Sequence, residues 1–404
     1  MIGNTFQANW LCILFYLHWC HAYIQKFFKP SLVRIMIDKG KKTLRIDIVT
    51  ITGEMNYGNS LQNYAVEAIF QRFAGNAQTV ISEPYIDNSL MAKAKRAMKE
   101  ILRCSNYADC KRRRRFAKFN QDRLHFVLQD QLVMNNKDVV IFGSDQIWNF
   151  NYGRIADRFA LYTGEPFLNN RKIAYSASIG ANEIPGALLN RFSDHLMDFH
   201  SVSVREEQAA SIICELTGRK VPVTIDPTLM LDAADWQRIE KKPHYVRKNE
   251  KILLTYFLGD LSPARKAFVD AVAQQFGLRV VALQNEWAKD IPDPAVYATT
   301  PDEFIWLVHH CQLMLTDSFH GSVFSILFDK PFRCFGREES GAADMSSRMD
   351  TLFGKFGIGN WCRGSVQEDP DHIFYKDYAS VPAVLERERQ FALDYLKNAL
   401  EIHE

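Results

Sequence analysis

From Arg45 onward the chain alternates short β-branched runs with segments of helical period, a grammar that leads to α/β units on parallel strands. The strand candidates are Ile46 to Thr50, Val139 to Phe142, Lys172 to Ser176, Val202 to Val204, Ile252 to Phe257, Val280 to Leu283 and Leu313 to Thr316. Amphipathic segments lie between them. Leu61, Tyr64, Ala65, Ala68, Ile69 and Phe73 form one apolar stripe, and Phe268, Val269, Val272 and Phe276 form another. Each stripe runs up to a glycine, Gly75 or Gly277, where a helix can stop.

A chain of 404 residues is longer than one such domain ordinarily holds. The polar, basic stretch Arg238 to Lys251 carries Pro243 and marks the change from one α/β half to the next. The expected division is an extension over 1–43, a first Rossmann-like domain over 44–240, a second over 241–365, and a helical segment over 366–404. Two such domains face each other across a cleft at the carboxyl ends of their strands, where open sheets bind ligands. In the extension, the apolar run Trp10 to Leu17 is too short to span a bilayer, and polar residues follow it. It reads as an addition outside the fold, with a weak membrane-surface anchor as the alternative.

Charge and cysteine usage narrow the partners. The 49 Lys and Arg nearly balance 47 Asp and Glu, so a phosphate-backbone surface is not expected and nucleic acid is set aside. The basic surplus is local, in Lys111 to Arg115 with Lys93, Lys95, Arg96 and Lys99 upstream. It is either a solvated helix face or a dock for an anionic membrane or glycan. Eight cysteines without a C-x-x-C pair suggest neither a metal site nor a disulfide framework, and place the chain in a reducing cytoplasm.

The candidate chemistry gathers at strand ends. After the first strand, Asn56, Gly58, Asn59, Gln62 and Asn63 line a helix start, with Gly58 bending the chain and Asn59 or Ser60 available as a cap. Gly143-Ser144-Asp145 ends another strand, and Ser176 and Ser178 flank the end of the next; Asp145 can orient or deprotonate a hydroxyl there, or simply cap the adjoining segment. Arg205 directly follows a strand, where its guanidinium can meet a carboxylate or phosphate, or pair locally with Glu206 or Glu207. Thr316-Asp317-Ser318-Phe319-His320-Gly321-Ser322 is the most informative segment, because a strand-to-helix turn brings His320, Ser318, Ser322 and the amides near Gly321 to one helix start. Arg348, opening the following helix, is a second cation.

Taken together, TGEMNYGNSLQNYA, VVIFGSDQIWN, AYSASIG, VSVREEQA, TIDPTLMLDAADW and TDSFHGSVFSI resemble the polysaccharide pyruvyl transferase family, in family order and across roughly residues 45–358. The resemblance implies an α/β fold similar to the GT-B glycosyltransferases, with the acceptor on the first domain and the donor on the second. It implies transfer of enolpyruvate from phosphoenolpyruvate to a saccharide in cell-surface or exopolysaccharide biosynthesis, without a metal or any cofactor beyond that co-substrate. Arg205, Ser318, His320, Gly321, Ser322 and Arg348 are then expected on the donor. Asn56, Gly58, Asn59, Gln62, Asn63, Ser176 and Ser178 are expected on the acceptor, with His320, Arg205 and Asp145 catalytic. A peripheral membrane contact at the inner face of the cell membrane and a lipid-linked acceptor stay open, as does oligomeric state. Some family branches have Arg-Leu-His where this chain has Ser318-Phe319-His320, so Arg348 or Arg333 is expected to supply the missing cation. The competing readings are a glycosyltransferase with a nucleotide-sugar donor and a non-catalytic glycan-binding protein.

Overall fold

The computed structural model describes residues 44–52, 55–81, 107–129, 132, 139–259, 261–284, 291–337 and 346–402. The expected extension over 1–43 and the upstream lysines and arginine at 93–99 lie outside the described residues.

The first sheet holds β1 (Ile46–Val49), β2 (Ala77–Ile81), β3 (Phe126–Leu128), β4 (Val139–Phe142), β5 (Arg171–Ala177) and β6 (Ser201–Val204), in the order β3-β2-β1-β4-β5-β6. Every pairing is parallel, with Ile46 opposite both Ala77 and Val139. The second sheet holds β7 (Ile252–Tyr256), β8 (Arg279–Leu283), β9 (Leu313–Thr316) and β10 (Phe332–Cys334), in the order β10-β9-β7-β8 and again parallel. The strand order reverses between β1 and β4 in one sheet and between β7 and β9 in the other. A crevice opens at such a reversal, beyond the carboxyl ends of the strands.

All seven expected strands are present. Three more, β2, β3 and β10, escaped the sequence: β3 and β10 are three-residue edges, and the AQTVI of β2 mixes polar and apolar residues. β1, β4, β7 and β9 are buried along their whole length, which is why their residues are mostly apolar on both faces rather than alternating, Asp47 of β1 being the charged exception.

The two halves share one core. Tyr57, at the start of the helix Tyr57–Ala74, stacks on Phe304 of the helix Pro301–His310, with ring centroids 4.9 Å apart and planes 9° from parallel. The stretch 238–251 is not a loose tether either. Pro243 and Val246 are buried, and the Tyr245 hydroxyl lies 2.6 Å from Thr299 Oγ1. The closing helix, Val381–Leu400, crosses back to the first half, where Arg389 donates to the carbonyls of Leu229 and Leu231 and the Tyr395 hydroxyl donates to that of Ala174.

Two expectations fail here. The basic run lies on the helix Tyr107–Arg123, but Arg112 within it is fully buried. It donates to the carbonyls of Met55, Gln284 and Tyr297, while Arg115 pairs with Glu303 at 2.6 Å, so part of the run fastens the two halves together. Cys110 is disulfide-bonded, where only free thiols were expected. That bond weighs against reading all eight cysteines as thiols of a reducing compartment. Among the described residues no helix is long and apolar enough to cross a membrane.

Candidate active site

The carboxyl ends of β1, β4, β5, β6 and β9 deliver a buried polar cluster to the seam between the halves. Arg205 follows β6, and its amide donates to the Ala177 carbonyl, which fixes where the side chain departs. The guanidinium, 1% exposed, meets three carboxylates: Asp226 at 2.7 Å, Asp145 at 3.5 Å and Glu206 at 4.0 Å. Burial opposes the charge of Arg205, but those carboxylates outweigh it and raise its pKa above the ordinary value.

Asp226 is the hub, and it is absent from the residues expected at the site. It precedes Pro227 and caps the short turn beyond it, with Oδ1 accepting from the Thr228 amide at 2.9 Å and its hydroxyl at 2.6 Å. Oδ2 accepts from Arg205 and, at 3.3 Å, from the Ser144 hydroxyl. It also lies 3.7 Å from His320 Nε2. Burial opposes ionisation of Asp226, yet His320, Arg205 and the Thr228 bonds hold its pKa below the usual carboxylate value. The Asp-Pro-Thr within TIDPTLML was the available signal, since aspartate before proline is a helix-cap pattern.

His320 is the second residue of the helix Phe319–Leu327. Burial pushes its imidazole below the ordinary histidine value, and Asp226 and Asp145 only partly offset this. The surroundings of His320 therefore favour the neutral imidazole over the imidazolium. Gly58 is present for His320 rather than for a bend. It sits inside a helix, and a Cβ there would lie 2.1 Å from His320 Nδ1. Gly321 likewise leaves room for Thr316 and Met314.

The remaining candidates divide. Asn56, not Asn59 or Ser60, caps the helix Tyr57–Ala74, with its side-chain oxygen taking the amides of Gly58 and Asn59. Asn59 lines a small recess beside Thr52, Ser60 and Asn120. Gln62 lies 3.1 Å from the Thr50 hydroxyl, which also reaches the Ser144 carbonyl, so it belongs to the edge of the cluster. Asn63 faces away, accepting from Thr79 of β2. Ser176 is held in a network with Ser203 and Thr224. Ser178 donates to Glu206, whose carboxylate also takes the amides of Ile179 and Gly180. Ser318 caps its helix through the Gly321 amide, and the Ser322 hydroxyl donates back to the Ser318 carbonyl. The helix start is thus less open to an anion than its sequence implied.

Several buried polar atoms in this cluster have no hydrogen-bond partner. The donors are Arg205 Nε and Nη2 and Gln62 Nε2, the acceptors are Asp145 Oδ2 and Glu206 Oε2, and His320 Nε2 can serve as either. Buried polar groups are normally satisfied, so a convergent set of this kind has the character of a ligand site.

The polysaccharide pyruvyl transferase family matches residues 56–339, well over half of the chain. The chain belongs to that family. No curated protein sequence matches it. Among solved structures, UDP-GlcNAc 2-epimerase from Neisseria meningitidis is similar at 11% identity and a TM-score of 0.42, over 89% of this chain and 97% of that one. A glycosyltransferase from Rickettsia africae is similar at 11% identity and a TM-score of 0.41, over 88% of this chain and all of the other.

Within this pyruvyl transferase family the chain departs at Ser318-Phe319, and one of the two cations expected in compensation, Arg348, approaches the cluster. The Phe319 ring carries Arg205 at 4.4 Å and Arg348 at 5.9 Å from its centroid. Arg348 therefore reaches the cluster from the helix Ser346–Phe356, and with the Gln146 amide turned so that its oxygen faces the guanidinium, it donates there at 3.0 and 3.2 Å. Burial and the like charge of Arg205 push Arg348 down to about 10. Arg333, the other expected substitute, does not reach the site. It is bound to Glu368 and to the carbonyls of Phe332, His372 and Tyr375.

Proposed function

We propose that this protein transfers the pyruvyl group of phosphoenolpyruvate to a saccharide diol, forming a cyclic pyruvate ketal and releasing phosphate. The observation that carries the reading is a set of buried polar atoms at the seam without hydrogen bonds: Arg205 Nε and Nη2, held only by ion pairs at 4.0 and 3.5 Å, beside Asp145 Oδ2 and Glu206 Oε2. Donors suit an anionic phosphate and carboxylate, and acceptors suit the hydroxyls of a sugar. Family membership supplies the reaction class.

In this scheme the negative charge of the donor raises the pKa of His320, which takes up a proton on binding. The imidazolium delivers that proton to the enol methylene, and the adjacent carbon becomes an oxocarbenium-like centre. One sugar hydroxyl attacks it and gives up its proton to Asp145, whose free oxygen faces the cluster. A second hydroxyl then displaces phosphate, which departs with that hydroxyl's proton, and a methyl-bearing ketal carbon remains. Arg205 and Arg348 balance the charge of the leaving phosphate. Asp226 keeps Arg205 and His320 in register.

The test incubates the protein with phosphoenolpyruvate and a panel of free and lipid-linked oligosaccharides, measuring acceptor-dependent phosphate release and an acid-labile ketal. Phosphate release with ketal formation is the expected result. Turnover of a nucleotide sugar, or glycan binding with no phosphate release, would overturn the proposal.

A further inference from the structure

The crossover between the halves carries a second cluster, outside the proposed active site. Glu240 follows the short helix Ala233–Gln237 and faces the last turn of the helix Pro301–His310. Its Oε2 lies 2.8 Å from His309 Nδ1 and its Oε1 lies 3.3 Å from His310 Nε2. The three ligand atoms are all within 4.8 Å of one another. Two imidazoles and a carboxylate form a set suited to zinc and its neighbours rather than to magnesium or calcium, which want more oxygen.

The surroundings hold these rings in place. His310 stacks on Trp306 at 4.3 Å and 17°, and His309 stacks on Phe328 at 4.7 Å and 23°. The Gln237 amide nitrogen lies 3.3 Å from His309 Nε2, and turning that amide would present its oxygen to the Nε2–H of a ligating ring, the second partner such a ring usually has. Both histidines close a helix, so the negative end of its dipole favours a cation at this corner. Ligands bonded to one tetrahedral ion at about 2.0 Å lie roughly 3.3 Å apart. The Glu240–His310 pair has that spacing through Oε1, the Glu240–His309 pair through Oε2 needs to open by a fraction of an ångström, and the widest separation in the cluster, within 4.8 Å, needs to close onto the ion.

We propose that Glu240, His309 and His310 bind one divalent transition-metal ion of the zinc class, completed by water, which fastens the crossover segment to the second half. His310 is within reach of solvent, so entry needs no unfolding: its side chain is 41% exposed, against 26% for His309 and 17% for Glu240.

The experiment titrates cobalt(II) into the untagged, chelator-stripped full chain. A saturable visible absorption at one equivalent, displaced by zinc, and a zinc-dependent rise in melting temperature are expected. Both signals should be lost in the double variant His309→Gln, His310→Gln and weakened in Glu240→Gln. Zinc protection of both histidines from carbethoxylation, read by peptide mass, tests the same site in the unaltered protein. Absence of saturable binding, binding retained in the double variant, or no protection of the histidines overturns the proposal.

Discussion

Arg112 and Arg205 are both buried arginines at the seam between the halves, and they differ in what surrounds them. Arg112 meets neutral groups: three backbone carbonyls, with the rings of Tyr57, Phe116 and Tyr297 at 5.4, 5.3 and 4.6 Å. Arg205 meets three carboxylates, yet two of its nitrogens make no hydrogen bond. The first arrangement uses a cation to tie chain segments together. The second holds a cation among carboxylates with both Nε and Nη2 unfilled, where Arg112 leaves only Nε, and this difference separates a fastener from a site.

Substitution at the two positions should therefore separate stability from turnover. Arg205→Ala is expected to lower acceptor-dependent phosphate release by about 100-fold or more, as for loss of a preorganised donor. Because stranded carboxylates also cost about 3–5 kcal/mol, Arg205→Lys is the companion variant, retaining charge but losing the fork. Arg112→Met should instead cost about 3 kcal/mol for its three lost bonds, with turnover per folded molecule preserved. Melting curves beside steady-state rates check both. Equal loss of turnover in the two variants would remove the distinction.

How much of the fold and the site was legible in the sequence depends on the range over which each signal acts. The strands β1, β4, β7 and β9 are local and mostly apolar, so their short hydrophobic runs announced them. His320 and Arg205 stood at strand ends, where position alone pointed to a crevice. Asp226 was harder, because its importance comes from contacts with Arg205 and His320, residues 21 and 94 positions away, which no local pattern encodes. Arg112 departs from its sequence context for a related reason: four charged neighbours suggested solvent, and only the packing of Tyr57 and Tyr297 around it shows otherwise. The same long-range packing reassigned Gly58, whose neighbour is a histidine from the opposite half.

Gly58 offers a smaller perturbation at the site itself. An added methyl must displace the His320 ring, since the Cβ would otherwise sit 2.1 Å from Nδ1. Gly58→Ala should lower kcat by roughly 10- to 100-fold, the scale of an ångström misplacement, while leaving KM for phosphoenolpyruvate less affected. Arg348→Gln should do the reverse, raising that KM about tenfold for one lost charge-assisted contact. If KM were unchanged in Arg348→Gln, the compensation for Ser318 would have to lie elsewhere.

The smallest effect is a slope in stability with pH. His320 is buried with its pKa below the ordinary 6.5, so the folded chain binds fewer protons than the unfolded chain once the pH falls under that value. Stability from this group is complete above about pH 6.5 and declines as the pH falls, by at most about 1.4 kcal/mol per pH unit, until the folded-state pKa is reached. Asp226 acts in the same direction at lower pH: its depressed pKa contributes stability above the ordinary 3.8, and that contribution is lost on further acidification. The two ranges are separable. Arg112→Met leaves the His320 surroundings intact, so denaturant melts between pH 7 and pH 5 should show the same slope as the unaltered chain, displaced to lower stability. His320→Asn removes one of the histidines whose pKa burial lowers, His310 being another, and should reduce that slope without abolishing it, which ties part of the acid sensitivity of the fold to the functional region of the seam rather than to its fastener.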